Sequence, residues 1–169
     1  MRSLTADSLP GDTITVEKRS AGILRDRAKY DRMLSQMKRT HHIGCLFNRP
    51  TSVIPDIPVR FDDTGTLHGE FTATEEQQGY DGRMHGGVVA ALIDASMAQC
   101  LMGHGVCGYT VDLTVKYRQP VILHTPTRIA ARITGTALGD CIYEMKCELH
   151  QGRMLVAGAT GRFYRERNS

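Results

Sequence analysis

The stretch from Met84 to Met102, Met-His-Gly-Gly-Val-Val-Ala-Ala-Leu-Ile-Asp-Ala-Ser-Met-Ala-Gln-Cys-Leu-Met, constrains this chain more than any other part of it. After the paired glycines it reads as a helix without a continuous polar face. Val88, Val89, Ala90, Ala91, Leu92, Ile93, Ala95, Met97, Ala98, Cys100, Leu101 and Met102 lie all around it. A helix that is apolar all round has to be buried. Asp94 is the one carboxylate within it, and a charge in such a place needs hydrogen bonds, a partner or a chemical role.

A chain of 169 residues is long enough to bury such a helix within one domain, removing roughly 70% of its unfolded surface from water. With 41% apolar and 23% charged residues it has the composition of a soluble globular protein. No apolar run approaches the length of about 20 residues that spans a bilayer, so no membrane span is expected. Met1 to Asp12 lacks the pattern of a secretory signal, and Asp7, Asp12, Glu17, Asp26 and Asp31 argue against a mitochondrial presequence, which makes a cytoplasmic location the expectation. Cys45, Cys100, Cys107, Cys141 and Cys147 are odd in number and lack Cys-x-x-Cys spacing, as free thiols in a reducing compartment would. His41 and His42 point different ways on regular structure and have no third ligand, so no metal is expected. The formal charge of +3 is concentrated in residues 1–40, where nine Lys and Arg face five acids. The rest of the chain carries no nucleic-acid footprint.

Pro10 and Gly11 make residues 1–15 a loose segment by expectation. Glu17 to Arg39 reads as a helix whose apolar stripe is Ile23, Leu24, Tyr30, Met33, Leu34 and Met37, with a basic opposite face. A surface helix laid on the domain fits this pattern; a nucleic-acid or membrane arm is the alternative. Pro50, Pro55 and Pro58 keep the next segment irregular, and Asp62-Asp63-Thr64-Gly65 predicts a hairpin between strands 59–61 and 67–72. A polar loop, 74–83, leads into the apolar helix. Four strands follow, at 109–118, 127–135, 141–149 and 154–164. In the first of these, strict alternation predicts a core face of Tyr109, Val111, Leu113, Val115 and Tyr117, leaving Thr110, Asp112, Thr114, Lys116 and Arg118 on the other face. In the last, Ala157, Gly158, Ala159 and Gly161 imply close approach of another backbone.

One all-apolar helix followed by an antiparallel meander is buried only if the sheet curls around it. The expected architecture is therefore α+β: a curled antiparallel sheet around one central helix, over residues 41–169, preceded by a flexible N-terminus and an extra helix in residues 1–40. Such a sheet leaves edge strands open, and pairing two copies removes an edge, so a dimer at least is expected.

His85-Gly86-Gly87 stands immediately before the helix, so the amides of Gly86 and Gly87 fall among the unsatisfied donors of its first turn. Donors so placed favour a negatively charged or polarised oxygen, which is how an oxyanion hole is built; glycines before a helix also serve as a plain turn. Asp94 lies seven residues after Gly87, roughly 10 Å along the axis. One chain cannot bring both to the same carbonyl carbon, whereas two chains related by a two-fold axis can.

His85-Gly86-Gly87-x-x-x-x-Leu92-x-Asp94, preceded by Gly79-Tyr80-Asp81-Gly82 and followed by Thr110-Val111-Asp112-Leu113-Thr114-Val115-x-Tyr117-x-x-Pro120, resembles the hotdog-fold acyl-CoA thioesterases of the PaaI-like branch over residues 59–164. The resemblance implies hydrolysis of an acyl-CoA thioester with no cofactor, coenzyme A being part of the substrate, by a homodimer or a dimer of dimers. It implies that Asp94 is the general base or the nucleophile. Gly87, with Gly86, would polarise the carbonyl from the other subunit, Thr110 would orient the water or the carboxylate, and His85 would set the helix start or contact the thioester sulfur. Tyr80, Met84, Met97 and Met102 are candidates to line the acyl pocket, with core packing as the alternative. The chain departs from its relatives in having Gly79 where many carry Asn, a role open to Gln77, Gln78 or Asp81, and Ala95 where Glu often follows the Asp. Two other readings are a non-catalytic acyl-CoA-binding module and a dehydratase or hydratase of hydroxyacyl thioesters.

Overall fold

A computed structural model of the chain describes residues 13–48, 53–55 and 57–165. The expectations for Met1 to Asp12, for the side chains of Ile23 and Leu24, and for Pro50 lie outside the described residues. Helix α1 spans Thr13–His41, so it begins inside the segment 1–15 that was expected to be loose. Strands β1 (Val59–Phe61) and β2 (Leu67–Thr72) form the expected hairpin. Helix α2 is Gly86–Gly103, and β3 (Gly108–Tyr117), β4 (Pro126–Ala137), β5 (Ile142–Gln151) and β6 (Met154–Arg165) complete one antiparallel sheet in the order β1-β2-β4-β5-β6-β3. The loop 74–83 contains a short 3-10 turn, Glu75–Gln77, and closes where Gln78 pairs with Met84.

The sheet curls around α2. Val89, Leu92, Ile93, Met97, Cys100 and Leu101 of the helix are buried against the inward residues of the strands, among them Leu67, Phe71, Ile129, Ala131, Met145, Cys147, Leu149 and Phe163. Each fully buried Leu, Ile, Met or Phe contributes about 1.5–3 kcal/mol relative to exposure, so this contact holds the fold together. The small residues of β6 make room for it. A Cβ at Gly161 would stand 3.2 Å from Met97 Sδ and 3.2 Å from the Asp112 carbonyl of β3. By length and composition alone α2 is also apolar enough to cross a membrane, which the absence of a 20-residue apolar run had not led us to expect; more than half of its 18 residues are buried inside the fold.

The two edges of the sheet differ. At β1, helix α1 covers the edge: Arg27 Nε donates to the Phe61 carbonyl at 3.1 Å and the Phe61 amide donates to Asp31 Oδ1 at 3.2 Å. The Phe61 ring stacks on Tyr30 with centroids 5.3 Å apart, and Leu34 is buried, with Tyr30 and Met37 packed on the core. His104 closes the cluster, its Nε2 donating to the Gly65 carbonyl at 2.9 Å and its ring tilted on Tyr30. At β3 the expected apolar face is covered only in part: Leu113 and Val115 pack against the core, whereas Tyr109, Val111 and Tyr117 are 58%, 56% and 54% exposed. The reason is positional, since β3 is the last strand of the sheet and has a neighbour, β6, on one side only.

A chain beginning at His42 loses Tyr30, Leu34 and Met37 and leaves the Phe61 amide and carbonyl without their side-chain partners. Such an uncovered apolar patch promotes aggregation. We expect the shortened protein to be insoluble or to melt well below the full chain, whereas deleting residues 1–12 changes melting little. Sedimentation and thermal melting decide it: a soluble, equally stable 42–169 would show that α1 is an appendage.

Candidate active site at the junction of the central helix and the edge strand

Strict alternation places residues seven apart on opposite faces of a strand. In β3 the ladder to β6 shifts register between Thr110 and Asp112, so Val111 is an extra residue. A bulge of one residue inverts the facing of everything beyond it. Leu113, Val115 and Tyr117 pair with Gly161, Ala159 and Ala157, whose side of the sheet faces inward, and Thr110 pairs with the buried Phe163. Thr110 and Tyr117 therefore both face α2, while Tyr109, expected in the core, turns outward beside Tyr164.

Both side chains use that placement to bond the helix. Thr110 Oγ1 donates to Asp94 Oδ1 at 2.8 Å, and the Tyr117 hydroxyl donates to the Gly86 carbonyl at 2.8 Å. The expectation that Asp94 is buried with its helix is corrected: the residue is half-buried, because it lies on the side of α2 beneath the open edge.

The helix start is built by His85. Its carbonyl accepts the Val88 and Val89 amides at 3.0 and 3.1 Å, and its Nδ1 accepts the Gly87 amide at 3.0 Å, the role of an N-cap side chain. An Nδ1 that accepts carries no proton, so the neutral ring holds its proton on Nε2. The His85 amide is anchored in turn by the Gln77 carbonyl at 2.8 Å.

The remaining expected site residues are spread around this loop. Gln77 is buried and its Oε1 accepts the Thr74 amide at 2.9 Å, while Gln78 Oε1 accepts the Gly82 amide at 3.1 Å; each shapes the loop. At Gly79 a Cβ would stand 3.0 Å from His85 Cα, so a side chain there would crowd the helix cap. Tyr80 is 82% exposed, and Met84, Met97 and Met102 are buried in the core. Tyr117 was placed in the core by its alternation, and only the bulge reveals its position at the helix start. Among the thiols, burial pushes Cys100 up to about 12 and Cys147 higher still, so neither is ionised near neutrality. A cavity of about 720 Å³ lined by Arg60, His68, Glu70, Arg128 and His150 opens elsewhere, on the outer face of the sheet.

Residues 81–157 match the family pattern of the thioesterase superfamily. No curated protein matches the chain in sequence. Among solved structures the chain is similar to the Escherichia coli PaaI protein of the phenylacetic acid degradation operon, at 16% identity over 85% of this chain and 98% of that one, with a TM-score of 0.67. It is also similar to a hypothetical thioesterase of Streptococcus pneumoniae solved with coenzyme A (17% identity, 65% and 88% covered, TM-score 0.59). A third is the Streptococcus mutans protein smu.793 bound to acetyl CoA (16%, 73% and 97%, 0.61). The pneumococcal protein has further been solved with an aspartate and with a threonine replaced by alanine, the two positions lying sixteen apart in its chain.

The cap predicts a graded response at His85. His85→Ala removes the acceptor and should lower stability by about 1 kcal/mol, whereas His85→Asn keeps an acceptor and should stay within a few tenths of the parent. Urea denaturation measures both; equal losses would mean that the imidazole is not acting as a cap.

Proposed function

We propose that this chain, whose residues 81–157 match the thioesterase superfamily and whose fold is the hotdog fold of its solved relatives, is an acyl-CoA thioesterase, releasing a carboxylic acid and coenzyme A from a thioester without a cofactor. The observation that carries this reading is the Thr110–Asp94 hydrogen bond. It orients one carboxylate at an accessible place on an otherwise apolar helix. The same sixteen-residue spacing separates the aspartate and the threonine replaced in the pneumococcal relative, which supports the assignment, as do the relatives holding coenzyme A and acetyl CoA.

In the proposed reaction the Gly87 amide, with Gly86 beside it, receives the thioester carbonyl oxygen, stabilising the negative charge that develops as the carbon becomes tetrahedral. Asp94 takes a proton from water as it attacks, or attacks the carbonyl carbon itself to form a mixed anhydride that water then hydrolyses to the free acid. Its negative charge is required in both forms, and the thiolate of coenzyme A leaves. His85 Nε2–H is a donor available to the departing sulfur, and Gln78, Tyr80 and Met84 belong to the loop that would flank the substrate. Since Gly87 and Asp94 of one chain lie roughly 10 Å apart along the helix, the site is composite. The exposed edge β3, with Tyr109 and Val111 outward, suits pairing with β3 of a second copy into a homodimer, alone or as a dimer of dimers. A non-catalytic acyl-CoA-binding module would have no use for a carboxylate held this way.

Asp94→Asn keeps the size and the Thr110 bond and removes the charge. Free-thiol release from acyl-CoA should fall by about 10²–10⁴ with melting little changed. A variant that hydrolyses as fast as the parent, or that unfolds, makes Asp94 structural and the mechanism wrong. Assembly is tested by mixing Asp94→Asn with Gly87→Pro, which lacks the amide and also presses a ring on the His85 imidazole, where an added Cβ would stand 3.0 Å from Nδ1. Exchanged heterodimers should regain activity; heterodimers that stay inactive would place the whole site within one chain.

A further inference from the structure

We infer that Tyr117 is a positioning residue for the Gly87 amide. The inference deepens the thioesterase reading above, and it rests on that reading for its catalytic consequence alone.

The Gly86 carbonyl and the Gly87 N–H belong to one planar peptide unit. Tyr117 holds the carbonyl end at 2.8 Å and His85 Nδ1 holds the amide end at 3.0 Å, so the unit is gripped at both ends. Both glycines lie in the first turn of α2, so helical geometry sets the tilt of this peptide, but without side chains glycine holds it only loosely. External hydrogen bonds at its two ends reinforce that tilt. A donor on the carbonyl also polarises the peptide and makes its N–H a stronger donor.

The two grips are not equivalent. A thioester oxygen that takes the Gly87 amide has to displace His85 Nδ1, because the single N–H points at the imidazole. The Tyr117 bond lies on the opposite end of the peptide and persists through that exchange. It keeps the amide aimed at the moment when its cap is gone.

A purely structural role for the hydroxyl fits less well. Tyr117 is 54% exposed at the end of an edge strand, and its ring lies beside Gly86, where an added Cβ would be 3.6 Å from Cε1. The ring thus keeps its contact when the hydroxyl is removed.

The test compares parent, Tyr117→Phe and Asp94→Asn, all full length. Nuclear magnetic resonance of ¹⁵N-glycine-labelled protein reads the Gly87 amide directly. In Tyr117→Phe its proton resonance should move upfield and its solvent exchange should quicken, in the unliganded protein. In thiol-release assays kcat should fall about tenfold, less than the 10²–10³ lost with an oxyanion donor itself, with KM within twofold and melting unchanged. An unmoved Gly87 amide overturns the inference, as does a moved amide with unchanged kcat. So does a Tyr117→Phe that melts lower and loses kcat and KM together, which would make the hydroxyl a structural staple. If the parent releases no thiol from any acyl-CoA, the hydrolase reading fails, and the Gly87 resonance and exchange still decide whether Tyr117 positions the peptide.

Discussion

The extra residue at Val111 is the constraint on which the candidate site depends. Thr110 and Tyr117 are seven positions apart, so a regular strand would send one of them away from the helix. With one residue bulged out of the ladder, both face α2. The edge strand is then joined to the central helix at two points, Asp94 and the Gly86 carbonyl. Because β3 runs antiparallel to α2, its start meets the middle of the helix and its end meets the helix N-terminus. One strand thereby orients both the carboxylate and the amide that the proposed chemistry requires.

The helix itself meets two opposed demands. Its buried side anchors the sheet through large apolar side chains and so keeps it rigid. Its N-terminus is polar, glycine-rich and accessible, with an amide that pairs with an imidazole. Rigidity in the first turn thus comes from side chains of neighbouring elements rather than from the glycines themselves. Placing a flexible dipeptide where a substrate oxygen must approach closely, and bracing it from outside, reconciles close access with a defined orientation.

The sheet treats its two edges differently for a related reason. At β1 the backbone of Phe61 is satisfied by Arg27 and Asp31 of α1, so that edge is closed within one chain. At β3, the last strand of the sheet among the described residues, the edge carries exposed aromatic and β-branched side chains next to Asp94. The closed edge stabilises the domain, and the open edge is where a composite site has to form if two copies share it.

Much of this was legible in the sequence, because the signals were local. The all-apolar run identified the central helix, alternation identified β4 to β6, the Asp-Asp-Thr-Gly turn placed the first hairpin, and His-Gly-Gly followed by Asp94 marked the candidate chemistry. These follow from periodicity and backbone freedom, which neighbouring residues set among themselves. Three things were decided only by the tertiary structure. The bulge at Val111 results from fitting β3 to β6 while it crosses α2, and nothing in its alternating residues announces it. Asp94 is half-open because β3 is the last strand, a matter of strand order that a linear pattern does not contain. Tyr117 reaches Gly86 for the same two reasons together, since a hydrogen bond between residues 31 apart exists only once long-range packing has set the distance between their elements.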